Sequence, residues 1–171
     1  MVLLTYFGEI NSNGQVALLL ALSETVSSKI SNAKNFSIAR EGLDACWKWL
    51  EEKKTVADDL YWYLENLDDT GILTVMQTEE DEVKLKAWIC IADALAFTIK
   101  EAYDFQGDKY LPATIEAVDI NTVEEFDTNF DDIYELTSAN KEKIMKYFLE
   151  VQANQQINKN NLLRDLGNFI D

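Results

Sequence analysis

Residues 78–103 read TEEDEVKLKAWICIADALAFTIKEAY, and this stretch decides the fold. Thr78 offers an N-cap, and Glu79, Glu80, Asp81 and Glu82 follow it on the first turn, where the positive end of a helix macrodipole favours carboxylates. Trp88, Ile91, Leu95 and Ile99 then recur at three- and four-residue spacing, which predicts an apolar helical face. Val83, Ala87, Cys90, Ala94 and Phe97 make a second. A helix apolar on two faces needs neighbours on both, so a central helix near residues 79–103 is expected.

The same periodicity surrounds it. On the N-terminal side, Asn11 or Ser12 can cap a helix carrying Val16, Leu19, Leu20, Ser23, Val26 and Ile30. Phe36, Ala39, Leu43, Cys46, Trp47 and Leu50 mark another, ending at Lys53 and Lys54, which suit the negative end of a helix dipole. Thr55 can cap a third with Val56, Leu60, Tyr63, Leu64 and Leu67 inside, closed by the turn at Asp68-Asp69-Thr70-Gly71. Residues 72–77 read as an apolar bridge compatible with an extended chain. The first ten residues, MVLLTYFGEI, are either a short strand or a packed lead-in.

On the C-terminal side, the chain is irregular around Gly107 and Pro112, with a short turn of helix expected at Ala113 to Val118. Asn121 or Thr122 can cap a helix with Val123, Phe126, Phe130 and Ile133 inside. Ser138 opens one carrying Ile144, Tyr147, Phe148 and Val151, and Asn158 precedes the last, with Leu162, Leu163, Leu166, Phe169 and Ile170. One proline and six glycines in 171 residues leave too few turn residues for a β-sandwich. The expected architecture is all-α: a helical bundle of about six to seven helices forming a single domain over residues 1–171.

Cys46 and Cys90 fall inside apolar helical patterns, as buried thiols in a reducing compartment do. The most apolar early run, Val16 to Leu22, is far shorter than a membrane span and lacks the flanks of a signal peptide. A cytoplasmic protein without a membrane partner is therefore expected.

Charge is the anomaly. Thirty-one acidic side chains face fifteen basic ones, for a net charge of −16. Residues 58–82 hold nine acidic and no basic side chains, and residues 101–135 hold eleven acidic side chains against Lys109 alone. Nucleic-acid binding of the usual kind is excluded, because affinity for phosphates comes mainly from Lys and Arg. A basic macromolecular partner is the natural counterpart.

Asp58, Trp62, Glu65 and Asp69 follow helical spacing and line one face, with Asp68 beside them. Glu79 and Glu80 add to the same stretch. Glu124, Asp127, Asp131 and Glu135, with Asp132, make a second stripe. Like charges at these spacings destabilise a helix by a few tenths of a kcal/mol each, so their accumulation points to a use beyond solubility. Trp62 is either a core residue on a wide apolar face or an exposed interface anchor of the kind enriched at binding hot spots. Charge reversal at Asp58, Glu65 and Asp69 is expected to weaken binding more than the same change at Glu24, Glu41 and Glu142.

The catalytic repertoire is thin. With no histidine in the chain, Ser-His-Asp and Cys-His nucleophiles and His-based metal sites are excluded. No phosphate-binding glycine loop occurs, and two cysteines are too few for a zinc site. Glu124, Asp127 and Asp131 leave open an oxygen-only site for Mg²⁺ or Ca²⁺. The expectation is a protein without catalytic residues, metal or cofactor.

The segments FSIAREGLDACWKWLE at 36–51 and DDLYWYLEN at 58–66 resemble the Imm6 group of bacterial immunity proteins. The resemblance implies a mainly α-helical protein linked to polymorphic toxin systems, in which an immunity protein binds and neutralises the toxin made by its own cell. It implies no functional residue. Acidity agrees with it, since a nuclease-type toxin domain needs a basic cleft to hold phosphates, and a cognate toxin with a basic surface is the expected partner. An acidic adaptor or DNA mimic that blocks another basic protein remains the alternative. The sequence leaves the oligomeric state open.

Overall fold

A computed structural model describes residues 2–153 and 157–170, with side chains from 5–152 and 157–170. Ten α-helices follow one another: α1 (Val2–Phe7), α2 (Ser12–Ser27), α3 (Phe36–Glu52), α4 (Ala57–Leu64), α5 (Ile72–Met76), α6 (Glu82–Gln106), α7 (Ala113–Glu116), α8 (Ile120–Tyr134), α9 (Ser138–Ala153) and α10 (Lys159–Leu166), with a 3-10 turn at Ser28–Ile30 after α2. There is no strand among the described residues. The all-α expectation holds, whereas the expected six to seven helices become ten. The seven longest match the seven periodic segments. Of the three additional helices, α7, with 4 residues, falls on the short helical turn expected at Ala113 to Val118, while α1 and α5, with 6 and 5 residues, are too short for a 3.6-residue period to show.

Two of these short helices change the sequence reading. The lead-in is α1, not a strand, and it buries Phe7 against the core; Met1 lies outside the described residues. The bridge at 72–77 is α5 rather than an extended chain.

α6 is the central helix, packed by α2, α3, α4, α5, α7, α8 and the 3-10 turn. Ala87, Trp88, Cys90, Ile91, Ala94, Leu95, Ile99 and Ala102 are buried around its circumference, as two apolar faces require. Its start is later than expected. Asp81, not Thr78, is the N-cap and accepts from the Lys84 amide at 2.9 Å, so Glu79 and Glu80 precede the helix and Glu82 alone is acidic in its first turn. Gly107 ends it in the left-handed region with φ 76°, a conformation glycine adopts without steric cost.

α2 buries the run Val16–Leu22 entirely, sandwiched by α3, α6, α9 and α10. Asn11 caps it by accepting from the Gly14 amide. Asp119, rather than Asn121 or Thr122, caps α8 in a capping box with Thr122. Asn158 caps α10 as expected, while Phe169 and Ile170 lie beyond its end. Both cysteines are free and buried, and burial pushes the Cys46 thiol up to about 12.

Around Glu24, α2, α3 and α10 are pinned together. Its carboxylate accepts from Arg40 at 2.6 Å through each oxygen and from the Trp47 indole at 3.0 Å, and Lys159 lies 3.2 Å away. Burial alone would raise this carboxyl; Arg40 and Lys159 overcome that and hold it below its ordinary value.

Candidate functional site

α4 begins at Ala57, whose amide donates to the Gln106 side chain at 2.6 Å, and Val56 takes the N-cap position where Thr55 was expected. It stops at Leu64, earlier than the periodicity predicts. The reason is Asn66. Its side-chain Nδ2 donates to the Trp62 carbonyl at 3.0 Å, and its side-chain oxygen accepts from the Asp68 and Thr70 backbone amides at 3.0 and 3.2 Å. An Asn that satisfies backbone groups in this way competes with the helix and organises a turn instead.

The helical stripe expected from Asp58 to Asp69 is therefore half helix and half loop. Asp58 and Trp62 stand on α4, Glu65 is its C-terminal cap, and Asp68 and Asp69 belong to the turn, Asp69 with φ 54°. Leu67, expected inside, is fully exposed, and Val56 is half-exposed. The loop nevertheless folds back along the helix end. Gly71 lets it, because a Cβ there would stand 2.6 Å from the Leu64 carbonyl oxygen.

Sequence-predicted residues gather at this place. A hollow of about 790 Å³ is lined by Asp58, Tyr61, Trp62, Glu65, Asn66, Leu67, Asp68 and Asp69. A second, of about 410 Å³, lies across Trp62, sharing Trp62 and Asp69 and reaching Glu41, Ile38 and Val75. Trp62 is the ridge between them, 44% exposed and set edge-on to Tyr63 at 5.5 Å. Among the described residues, no Lys or Arg lines either hollow. Among the described residues, Asp58, Glu65, Asp68 and Asp69 make no ion pair.

Two hydroxyls from the second acidic stretch reach this surface. Tyr103 on α6 donates to Asp58, and Thr114 on α7 donates to Glu65 at 3.1 Å. Tyr61 also donates to Glu65. Burial, then the adjoining carboxylate, raise the phenols of Tyr61 and Tyr103.

α8 behaves differently. Asp127 is 2% exposed, and Lys141 of α9 lies between it, at 3.2 Å, and Asp131. Burial raises the Asp127 carboxyl, against the pull of Lys141. Asp132 pairs with Lys86 at 3.2 Å. The stripe without basic neighbours is thus a correction: the basic partners come from other helices, and an ammonium occupies the place between Asp127 and Asp131 that a divalent ion would take. Among the described residues, no group of three His, Cys, Asp or Glu is placed to hold a metal. Glu124 and Glu135 are exposed, the latter in the left-handed cap of α8. Glu80 is exposed and Glu79 accepts from the Asp81 amide; neither lines a hollow.

The structure also changes the comparison residues. Glu24 is locked in the Arg40 network and Glu41 lines the second hollow, which leaves Glu142, paired with Lys146 on α9, as the neutral control. Asn66 and Thr114 were not read as site residues. The Asn-x-Asp-Asp-Thr-Gly run carried a signal for Asn66, whereas Thr114 carried none.

The family description "Immunity protein Imm6" matches residues 14–136. The chain belongs to the Imm6 family. Its match runs from α2 to just past α8 and contains all twelve residues singled out from the sequence, as well as Asn66 and Thr114. Membership makes this an immunity protein, and immunity proteins act against toxins and generally do so without catalysis. No curated protein and no solved structure matches the chain. Among the described residues, no helix is long and apolar enough to cross a membrane.

Proposed function

We infer that this Imm6 protein neutralises a cognate toxin of a polymorphic toxin system by docking the surface around Trp62 against a basic face of that toxin. It acts as a single domain in the cytoplasm, and its target is a nuclease-type domain. The observation that carries this reading is the pairing of a half-exposed tryptophan with carboxylates that have no basic neighbour, on the ridge between two hollows. Tryptophan anchors with a polar surround are the usual energetic centres of protein interfaces. Unpaired carboxylates speed encounter with a positive surface and disfavour wrong partners. A toxin that cleaves nucleic acid carries the phosphate-binding cleft such a surface complements.

The α8 carboxylates contribute less. Asp127 is buried, Asp131 and Asp132 are paired, and Glu124 and Glu135 stand outside both hollows. The working surface is therefore Asp58, Trp62, Glu65, Asp68 and Asp69; Glu79 and Glu80, outside both hollows, add only to the general negative field.

The test is a binding titration with the purified toxin domain encoded beside this gene. The triple reversal Glu65→Lys, Asp68→Lys and Asp69→Lys should weaken association by about 100-fold, roughly 2.7 kcal/mol, and flatten its salt dependence. Glu142→Lys should change it less than about threefold. Equal affinity for wild type and the triple variant would overturn the assigned surface. Absence of any association by the wild-type protein would overturn the toxin-binding reading itself.

A further inference from the structure

Beside the acidic surface, a hollow of about 140 Å³ opens where α4, α5, α6, α7 and α8 meet. Its walls are mostly apolar, with Leu64, Leu73, Ala96 and Val118 among them, and Asp93 of α6 is its one charged residue among those described. Asp93 has no ion-pair or hydrogen-bond partner among the described residues, and its Oδ2 is shut off from solvent. Burial, then repulsion from Glu125 on α8, push the carboxyl up to about 8.

An acid left alone at an apolar helix junction is costly to the fold, and alanine would fill the position without that cost. A cation brought from outside compensates it. A hydrogen bond ties the hollow to the larger site, because Thr114 lines the one and donates to Glu65, which lines the other.

We propose that this hollow seats a basic side chain, lysine or arginine, projected by the toxin, with the cationic head on Asp93 and the alkyl stem against Leu64, Leu73, Ala96 and Val118. Long basic side chains bury their stems on apolar surface in this manner. The proposal rests on the toxin-binding reading for its occupant, but the chemistry of the hollow can be probed without a toxin.

The probes are the N-acetyl methylamides of lysine, arginine and norleucine, the last a neutral shape control. NMR follows the Asp93 carboxyl carbon and the backbone amides of Ala96 and Val118 in the full-length protein. Either cationic probe should produce a saturable shift at these positions in the millimolar range; which of the two does so identifies the preferred head group. Affinity should rise at least tenfold from pH 6.5 to pH 9 as Asp93 ionises. Glu125 on α8 and Cys90, on α6 with Asp93, are the titratable groups coupled to it, and the other residues lining the hollow from α4, α5, α7 and α8 do not titrate.

Asp93→Asn should abolish both the shift and its pH dependence. Ala96→Leu, which fills the hollow while keeping the acid, should abolish the shift as well. No saturable shift with either cation, or shifts equal to those of the norleucine probe or retained in Asp93→Asn, would overturn the proposal. None of these results depends on toxin binding, so failure here leaves that reading standing.

Discussion

Replacing Lys141 with methionine should cost the fold about 3–5 kcal/mol, the usual penalty for removing one partner of a buried ion pair. Lys141 and Asp127 are almost wholly buried, at 8% and 2% side-chain exposure, with nitrogen and oxygen 3.2 Å apart, and Asp131 shares the same ammonium. Methionine keeps a straight stem against Leu22, Phe126, Phe130 and Ile144, which line the same small space, so the lost packing is small. What remains is a buried carboxylate beside a second one, with no cation. For a chain of this size each kcal/mol moves the melting temperature by about 2–4 °C, so Tm should fall by about 6–20 °C.

The pH dependence has a definite sign. Burial holds the folded Asp127 carboxyl above its ordinary 3.8 even with Lys141 present, and removing the ammonium raises it further. Ionisation then costs stability as pH rises through that folded value, so the Lys141→Met penalty is largest near pH 7 to 8 and shrinks as Asp127 takes up its proton toward pH 4. The double variant Asp127→Asn, Lys141→Met should recover most of the loss. Thermal unfolding followed by circular dichroism between pH 4 and 8 measures all three variants. A Tm drop under about 3 °C, or one that does not vary with pH, refutes the assignment of Asp127 to a buried pair. Toxin affinity of folded Lys141→Met should stay within about twofold of wild type, because neither Lys141 nor the carboxylates it leaves without a cation line either hollow.

Trp62→Ala should leave stability within about 1 kcal/mol, since the ring is half-exposed, while weakening toxin binding at least 30-fold, about 2 kcal/mol or more, by calorimetric titration. Gly71→Ala should destabilise by about 1–3 kcal/mol through forced backbone movement, because its Cβ would meet Leu64 and Glu65 backbone atoms at 2.6–2.9 Å; faster hydrogen exchange at the Asp68 and Thr70 amides, which donate to Asn66, would report the loosened turn, and unchanged exchange would count against Gly71 holding it.

The long amphipathic segments were legible because a helix of three or more turns repeats its apolar face several times. Thus α2, α3, α6, α8 and α9 appear close to their expected positions, and the shorter α10 does so because Asn158 marks its start. α4 was over-extended because Glu65 and Leu67 continue the spacing of the residues before them, while Asn66 interrupts the backbone without disturbing the pattern. The caps at Asp81 and Asp119 were displaced because more than one Thr, Asp or Asn stood within a single turn, and only the side-chain geometry selects among them.

The site divides in the same way. That acidity concentrates in residues 58–82 and 101–135 is a property of the sequence, as is the absence of histidine chemistry. Which carboxylates stay unpaired is not, because an ion pair is made across space: Lys141 reaches Asp127 and Asp131 from α9, and Lys86 reaches Asp132 from α6. The sequence by itself determined an all-helical chain around a central helix with a strongly negative balance, since periodicity and charge are local sums. Tertiary packing alone decided that Asp127 is buried, that Trp62 stands exposed between two hollows, and that Asp93 lines a separate hollow without a partner among the described residues, because burial and pairing depend on which helices meet.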